Sequence, residues 1–194
     1  EFSVFRVRQE PNGSVYVDDT TDVSRIFSSP LSYFKGARVL HLLRWELGHE
    51  VFFDAIRSYL NDPELIWGYA YTTDLQYHFE QASGRDLTEF FDDWIYGKGL
   101  PSYQLDWFAT GDTVYLRVDQ QQSDPSVGFF EGILPIQLIG KNGEEEIIRL
   151  NHDFSGQQFV IPVGFDVGDV ALDPEGWLTY EENVVTRAAC TLPD

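Results

Sequence analysis

An α+β fold is the reading this sequence supports, on three observations. Over residues 33–96 apolar side chains recur at helical spacing. Beyond Pro101 they alternate at every second position, and Gly97, Gly99 and Pro101 punctuate the change. In the first half Gly36, Leu40, Leu43 and Leu47 share one helix face, and Gly48 follows as a left-handed stop. Phe52, Ala55, Ile56, Tyr59 and Leu60 continue the period in a second helix that Asn61-Asp62-Pro63 closes. Thr73 with Gln76 resembles a capping box ahead of the stripe Leu75, Phe79 and Ala82, which Gly84 stops. Asp86 and Glu89 start a further helix, whose buried face is Leu87, Phe90, Phe91, Trp94 and Ile95.

In the second half Val114, Leu116 and Val118 alternate with Tyr115, Arg117 and Asp119, the pattern of a half-buried strand. Gly111-Asp112 separates it from a strand over residues 103–109. Lys141-Asn142-Gly143 joins residues 133–139 to 145–150 as a hairpin, because Asn and Gly accept positive φ. Residues 159–163, 170–172 and 177–180 bring the count to about seven short strands, which suggests a β-sandwich. Residues 14–17 read as a further strand, paired with residues 3–7 across Pro11-Asn12-Gly13. The expected division is 1–100 helical with a short N-terminal β segment, 101–185 β-sandwich, and 186–194 tail or linker, hinged near residues 97–101. Nothing repeats at a solenoid period.

The 194 residues carry 13 Lys and Arg against 32 Asp and Glu, a formal charge of −19. So acidic a surface repels phosphate backbones and anionic headgroups, which argues against nucleic acid and membrane adsorption. Apolar runs fall short of the roughly 20 residues a membrane span needs. Cys190 is the only cysteine, so no internal disulfide can form, and its polar surroundings make it an incidental thiol. Asn12-Gly13-Ser14 fits the glycosylation pattern, but turn chemistry explains it equally well. The compartment stays open, with a secreted or periplasmic setting preferred.

One stretch carries more information than the rest. Leu31-Ser32-Tyr33-Phe34-Lys35-Gly36-Ala37 runs into Val39-Leu40-His41-Leu42-Leu43-Arg44 and Leu47-Gly48. Phe52-Phe53, Tyr59-Leu60, Thr73-Asp74-Leu75, Ser83-Gly84-Arg85-Asp86-Leu87, Phe90-Phe91-Asp92-Asp93-Trp94 and Tyr96-Gly97-Lys98-Gly99-Leu100-Pro101 follow in order. In this order and spacing, densest over residues 25–101, the chain resembles zinc aminopeptidases of the aminopeptidase N family, which are gluzincin metallopeptidases. The resemblance implies the helical C-terminal half of a thermolysin-like catalytic domain, followed by a small β-sandwich. It also implies an activity, the release of N-terminal residues from peptides, and assigns the tyrosine that steadies the transition state to Tyr33.

The same resemblance exposes a gap. The family's zinc signature, His-Glu-x-x-His with a further Glu downstream, belongs ahead of that tyrosine, where this chain has thirty-two residues. His41, His49, His78 and His152 form no His-x-x-x-His pair. His49-Glu50 begins like the motif, but Phe53 stands at the second histidine's place. The expectation is therefore a C-terminal fragment that supplies Tyr33 but no zinc site and is inactive alone. Zinc belongs to the intact parent enzyme, with a peptide substrate and a missing N-terminal catalytic lobe as partners. A non-catalytic interaction scaffold on the same fold is the alternative. An acidic, calcium-dependent adhesive sandwich is a distant third.

A phenol suits the assigned role, since it reaches an O–H donor toward a developing oxyanion without adding charge. Lys35 reads as a surface or helix-packing residue, and Gly36 as a site of close backbone approach. Arg38 and Arg44 read as exposed charges paired with nearby acids. Asp166, Asp169 and Asp173 lack calcium-loop spacing and read as solvated turn acids. Trp67, Tyr69 and Tyr71 read as core edge, with the border of a substrate cleft as the alternative. A fragment should also expose apolar surface on its helical half, where the missing lobe would dock.

Overall fold

The computed structural model describes residues 2–191. Its helices follow the 3.6-residue period of the first half: α1 (Phe2–Val7), α2 (Val23–Ile26), α3 (Gly36–Leu47), α4 (His49–Leu60), α5 (Thr72–Ser83) and α6 (Thr88–Phe91). Two π-helical segments, Ser29–Lys35 and Asp92–Tyr96, lead into α3 and continue from α6. Gly48 (φ 85°) and Gly84 (φ 66°) end α3 and α5 in conformations that favour glycine. The start of α5 differs in detail from expectation. The Asp74 carboxylate accepts the Tyr71 N–H at 2.7 Å, while Gln76 turns away to Glu80 at 2.8 Å.

The second half holds β1 (Pro101–Thr110), β2 (Thr113–Gln122), β3 (Gly132–Gly140), β4 (Glu145–His152), β5 (Gln157–Pro162), β6 (Val167–Leu172) and β7 (Asn183–Arg187). They form two sheets, ordered β5-β2-β1-β7 and β4-β3-β6. All pairs are antiparallel except β7, which runs parallel to β1 with Leu105 opposite Val185. The period of two decides what is buried. Leu105 and Trp107 of β1 sit opposite Val118 and Leu116 of β2, and all four lie in one core with Leu134, Ile136 and Leu138 of β3.

That core does not stop at residues 97–101. It includes Val39 and Leu42 of α3 and Trp94, whose ring lies 4.6 Å from that of Phe130. Gly97 is packed so closely that a Cβ would fall 2.5 Å from the Asp93 carbonyl oxygen and from Val127. A second core, among Leu43, Phe52, Ala55, Phe79, Leu87 and Phe91, holds α3, α4 and α5 together. The buried face of α3 is Val39, Leu42, Leu43 and Glu46 with Arg38, so it is turned from the expected one; Leu40 and Leu47 are only partly buried.

Three expected β segments are corrected. Residues 3–7 lie in α1, not in a strand. The Phe2 ring meets Phe34 edge-on at 5.6 Å and Arg6 bonds Ser29 at 3.1 Å, so docking on the π-helical segment outweighs local β propensity. Residues 14–17 form no strand; Tyr16 N–H donates instead to the Ile95 carbonyl at 2.8 Å. Residues 177–180 are not a strand either. The Asp173 carboxylate takes the N–H groups of Trp177 (2.6 Å) and Leu178 (3.0 Å), and Arg38 takes the Leu178 carbonyl. Side chains thus fill the places a neighbouring strand would occupy. The seventh strand is β7, which runs to Arg187 into the expected tail; residues 192–194 of that tail lie outside the described residues.

Candidate functional site

Tyr33 sits on the wide turn Ser29–Lys35, where its N–H reaches the Ser28 carbonyl five residues back at 3.4 Å. Such π-turns recur at functional sites because the inserted residue re-aims the side chains around it. Ser28 caps the turn by accepting the Leu31 N–H at 3.3 Å, and Pro30 suits the first turn, where no N–H is needed. Tyr33 presents 57% of its surface to solvent, so its phenol is accessible to a bound molecule.

Lys35 lies two residues on and faces the opposite way. Only 1% exposed, its ammonium donates to the carbonyls of Gly13 (2.7 Å) and Gly99 (2.9 Å). Burial pulls it down to about 8, against the weaker pull of Asp124 the other way. The surface role expected for it is therefore corrected. Gly36 is corrected too: a Cβ there would meet only the Val15 side chain, at 3.7 Å, so no close backbone approach demands glycine.

Arg38 also points inward. It bonds the Gly176 carbonyl at 2.8 Å, the Leu178 carbonyl, and Thr179 Oγ1 at 3.2 Å. The charge of the buried Asp173 carboxylate favours the Arg38 cation, and burial pushes that acid up to about 6 despite the N–H groups it accepts. Asp173, at φ 55°, is thus a structural cap of the 173–178 loop and not a solvated acid.

Glu46, equally buried, accepts the Ile133 N–H at 2.6 Å and stands 3.8 Å from Arg85. Burial raises it above the usual carboxylate range, against that N–H bond and the charges of Arg85 and Arg149. It borders a cleft of about 510 Å³ lined also by Asp86, Glu89, Asp93, Glu131 and Asp153. Asp93 is pushed up to about 6 by burial, then by the like charges of Glu89, Asp92 and Glu131. Tyr33 is not among the residues lining this cleft.

Each histidine is engaged elsewhere. His41 stacks on Trp177 at 4.6 Å, and His49 bonds Arg44 at 2.8 Å. His78 joins Ser58 (2.9 Å) to Asp62 (3.1 Å), and the fully buried His152 meets the Val118 carbonyl at 3.2 Å. Among the described residues no three His, Cys, Asp or Glu side chains converge to hold a metal ion. No helix among them is long and apolar enough to cross a membrane. Arg44 bonds the His49 ring and lies over the Phe53 and Trp177 rings, in place of the acid expected for it. Trp67, Tyr69 and Tyr71 are 100%, 93% and 75% exposed, which overturns their reading as core edge.

The burial of Lys35, Arg38 and Glu46 is not part of the sequence reading. The signal for two of them was present, since Arg38 and Glu46 fall on the same helical stripe as Val39, Leu42 and Leu43. For Lys35 no sequence cue existed, because its partners lie 22 and 64 residues away.

Residues 6–94 match the peptidase family M1 domain. The tricorn protease-interacting factor F2 of Thermoplasma volcanium is 29% identical over 153 residues, covering 73% of this chain and 19% of that protein. Aminopeptidase N of Lactococcus lactis subsp. lactis is 31% identical over 104 residues, covering 54% and 12%. Among solved structures, aminopeptidase A of Legionella pneumophila in complex with aspartic acid shares the fold. It has a TM-score of 0.74 at 15% identity, over 90% of this chain and 20% of that one. Over residues 6–94 the chain is similar to peptidase family M1, the family of the zinc-dependent aminopeptidases. It spans no more than about a fifth of the length of these relatives.

Proposed function

We propose that this chain is part of a zinc-dependent aminopeptidase that hydrolyses N-terminal residues of peptides, and that it supplies the oxyanion-stabilising Tyr33 but not the zinc site. Residues 1–100 are read as the helical half of a thermolysin-like catalytic domain, and the strands from Pro101 on as a small β-sandwich domain. Zinc and the base that activates water belong to a lobe outside this chain. The observation that carries the reading is the placement of Tyr33. The resemblance to the family assigns a tyrosine to this segment, and here Tyr33 stands exposed on a capped π-turn beside the buried Lys35.

The chemistry follows from the phenol. As a peptide carbonyl becomes tetrahedral, negative charge develops on its oxygen, and a fixed O–H donor lowers the energy of that state more than of the substrate. A phenol O–H serves this purpose as a hydrogen-bond donor. The partner lobe is expected to dock on the helical half, where Phe27, Leu60, Trp67, Tyr69 and Tyr71 are exposed.

The test is aminoacyl hydrolysis by the full-length protein with its zinc content measured. Stoichiometric zinc with turnover that depends on Tyr33 is expected. A full-length protein with neither zinc nor turnover would instead make the domain a non-catalytic scaffold.

A further inference from the structure

Tyr33 can act only if its turn is held in place against the rest of the molecule. Within the turn the Ser32 and Tyr33 N–H groups share the Ser28 carbonyl at 3.0 and 3.4 Å, and the Gly36 N–H reaches the Leu31 and Tyr33 carbonyls. The attachments to the rest of the molecule come from beneath and from the side. Lys35 closes the turn by donating to two carbonyls from distant segments, Gly13 and Gly99. Gly13 lies against Leu31 of the same turn, so tightly that a Cβ there would fall 2.4 Å from a Leu31 methyl carbon. From the side, α1 adds the Arg6–Ser29 bond and the Phe2–Phe34 contact.

We propose that Lys35, seated on the Gly13 and Gly99 carbonyls, is a positioning residue that sets Tyr33 for contact with the oxyanion. This rests on the reading of Tyr33 given above. The first two dozen residues then have a defined task, since their loop at Gly13 forms half of the seat. Each carbonyl is otherwise an end of a loop, and a charged donor holds it more firmly than a neutral one. Removing the ammonium leaves both carbonyls without this donor and loosens the turn at its C-terminal end, beside the tyrosine.

The experiment is a double-mutant cycle in the full-length, zinc-loaded enzyme, with Lys35→Met, Tyr33→Phe and the pair, read with a chromogenic aminoacyl substrate. Lys35→Met is expected to lower kcat roughly tenfold to a hundredfold, as a small misplacement of a reacting group does. KM should stay within about twofold and zinc content should hold. The pair should be no slower than Tyr33→Phe alone, because Lys35 acts through Tyr33. Multiplicative losses, or a Lys35→Met enzyme within about threefold of wild type, would overturn the proposal.

Should Lys35→Met fail to fold, Gly13→Ala keeps the charge and presses on Leu31 instead, and the same cycle applies. A near-normal Tyr33→Phe enzyme would sink the reading of Tyr33, and amide exchange then decides the seat separately. Faster exchange confined to the Tyr33 and Gly36 N–H groups in Lys35→Met is expected. Unchanged exchange there overturns the seat whatever Tyr33 does.

Discussion

Trp45 and Ile133, 88 residues apart, are joined by the Trp45 indole N–H, which donates to the Ile133 carbonyl at 2.7 Å. The next residue of α3, Glu46, accepts the N–H of the same Ile133 at 2.6 Å. Both main-chain groups of Ile133 are therefore held by adjacent side chains of a helix, and α3 is fastened to the first residues of β3. Arg149 completes the fastening by donating to the Trp45 carbonyl at 2.7 Å and lying over its ring.

Trp45→Phe keeps most of the ring and deletes the donor. The part-buried Ile133 carbonyl loses its partner, so a loss of about 1–2 kcal/mol is expected. Urea unfolding checks this; a lower midpoint with an unchanged slope is expected, since the surface exposed on unfolding hardly changes.

Asp93 gives a pH signature. Its folded value is raised from 3.8 to about 6, by burial first and then by Glu89, Asp92 and Glu131. The folded chain therefore holds this proton more tightly than the unfolded chain. That contribution is fully present below the ordinary value and is lost as pH rises through about 6. Asp93→Asn removes the titration. The variant should gain on wild type between about pH 4 and 6 and stay the more stable at neutral pH. Melting temperatures on either side of that window decide it, and a gap independent of pH would show that Asp93 is not strained by its neighbours.

Trp67 combines full exposure with φ 62°, a left-handed conformation that costs a non-glycine residue about 1–3 kcal/mol. Asparagine accepts that conformation, so Trp67→Asn should leave the isolated chain as stable or slightly more stable. A lowered melting temperature would mean that the indole is packed in solution.

These sites show which parts of the fold the sequence discloses. Val114, Leu116 and Val118 alternate cleanly because β2 has one buried face, and Phe79 and Trp94 mark helices because each faces a local core. Local periodicity suffices for such elements. It fails where a partner is distant. β7 is missed as a strand, its residues 183–185 falling in the expected sandwich span and 186–187 in the expected tail, and only the register with β1 discloses it. Lys35, Arg38 and Asp173 read as solvated charges because most charges are. Their burial depends on carbonyl and N–H groups that converge from as far as 140 residues away. Tyr33 is legible as a motif, but the turn beneath it is not, since its support comes from the Gly13 and Gly99 carbonyls, 22 and 64 residues from Lys35.

The measurement that bears most directly on Tyr33 is the kinetics of Tyr33→Phe in the full-length enzyme with a chromogenic aminoacyl substrate. The change removes one O–H donor and leaves the ring, so stability and zinc content should stay as in wild type. Loss of an oxyanion donor costs roughly 10²–10³ in kcat, about 2.7–4 kcal/mol, and a fall of that size with little movement of KM is expected. A kcat within about threefold of wild type would contradict the role of Tyr33 as oxyanion donor.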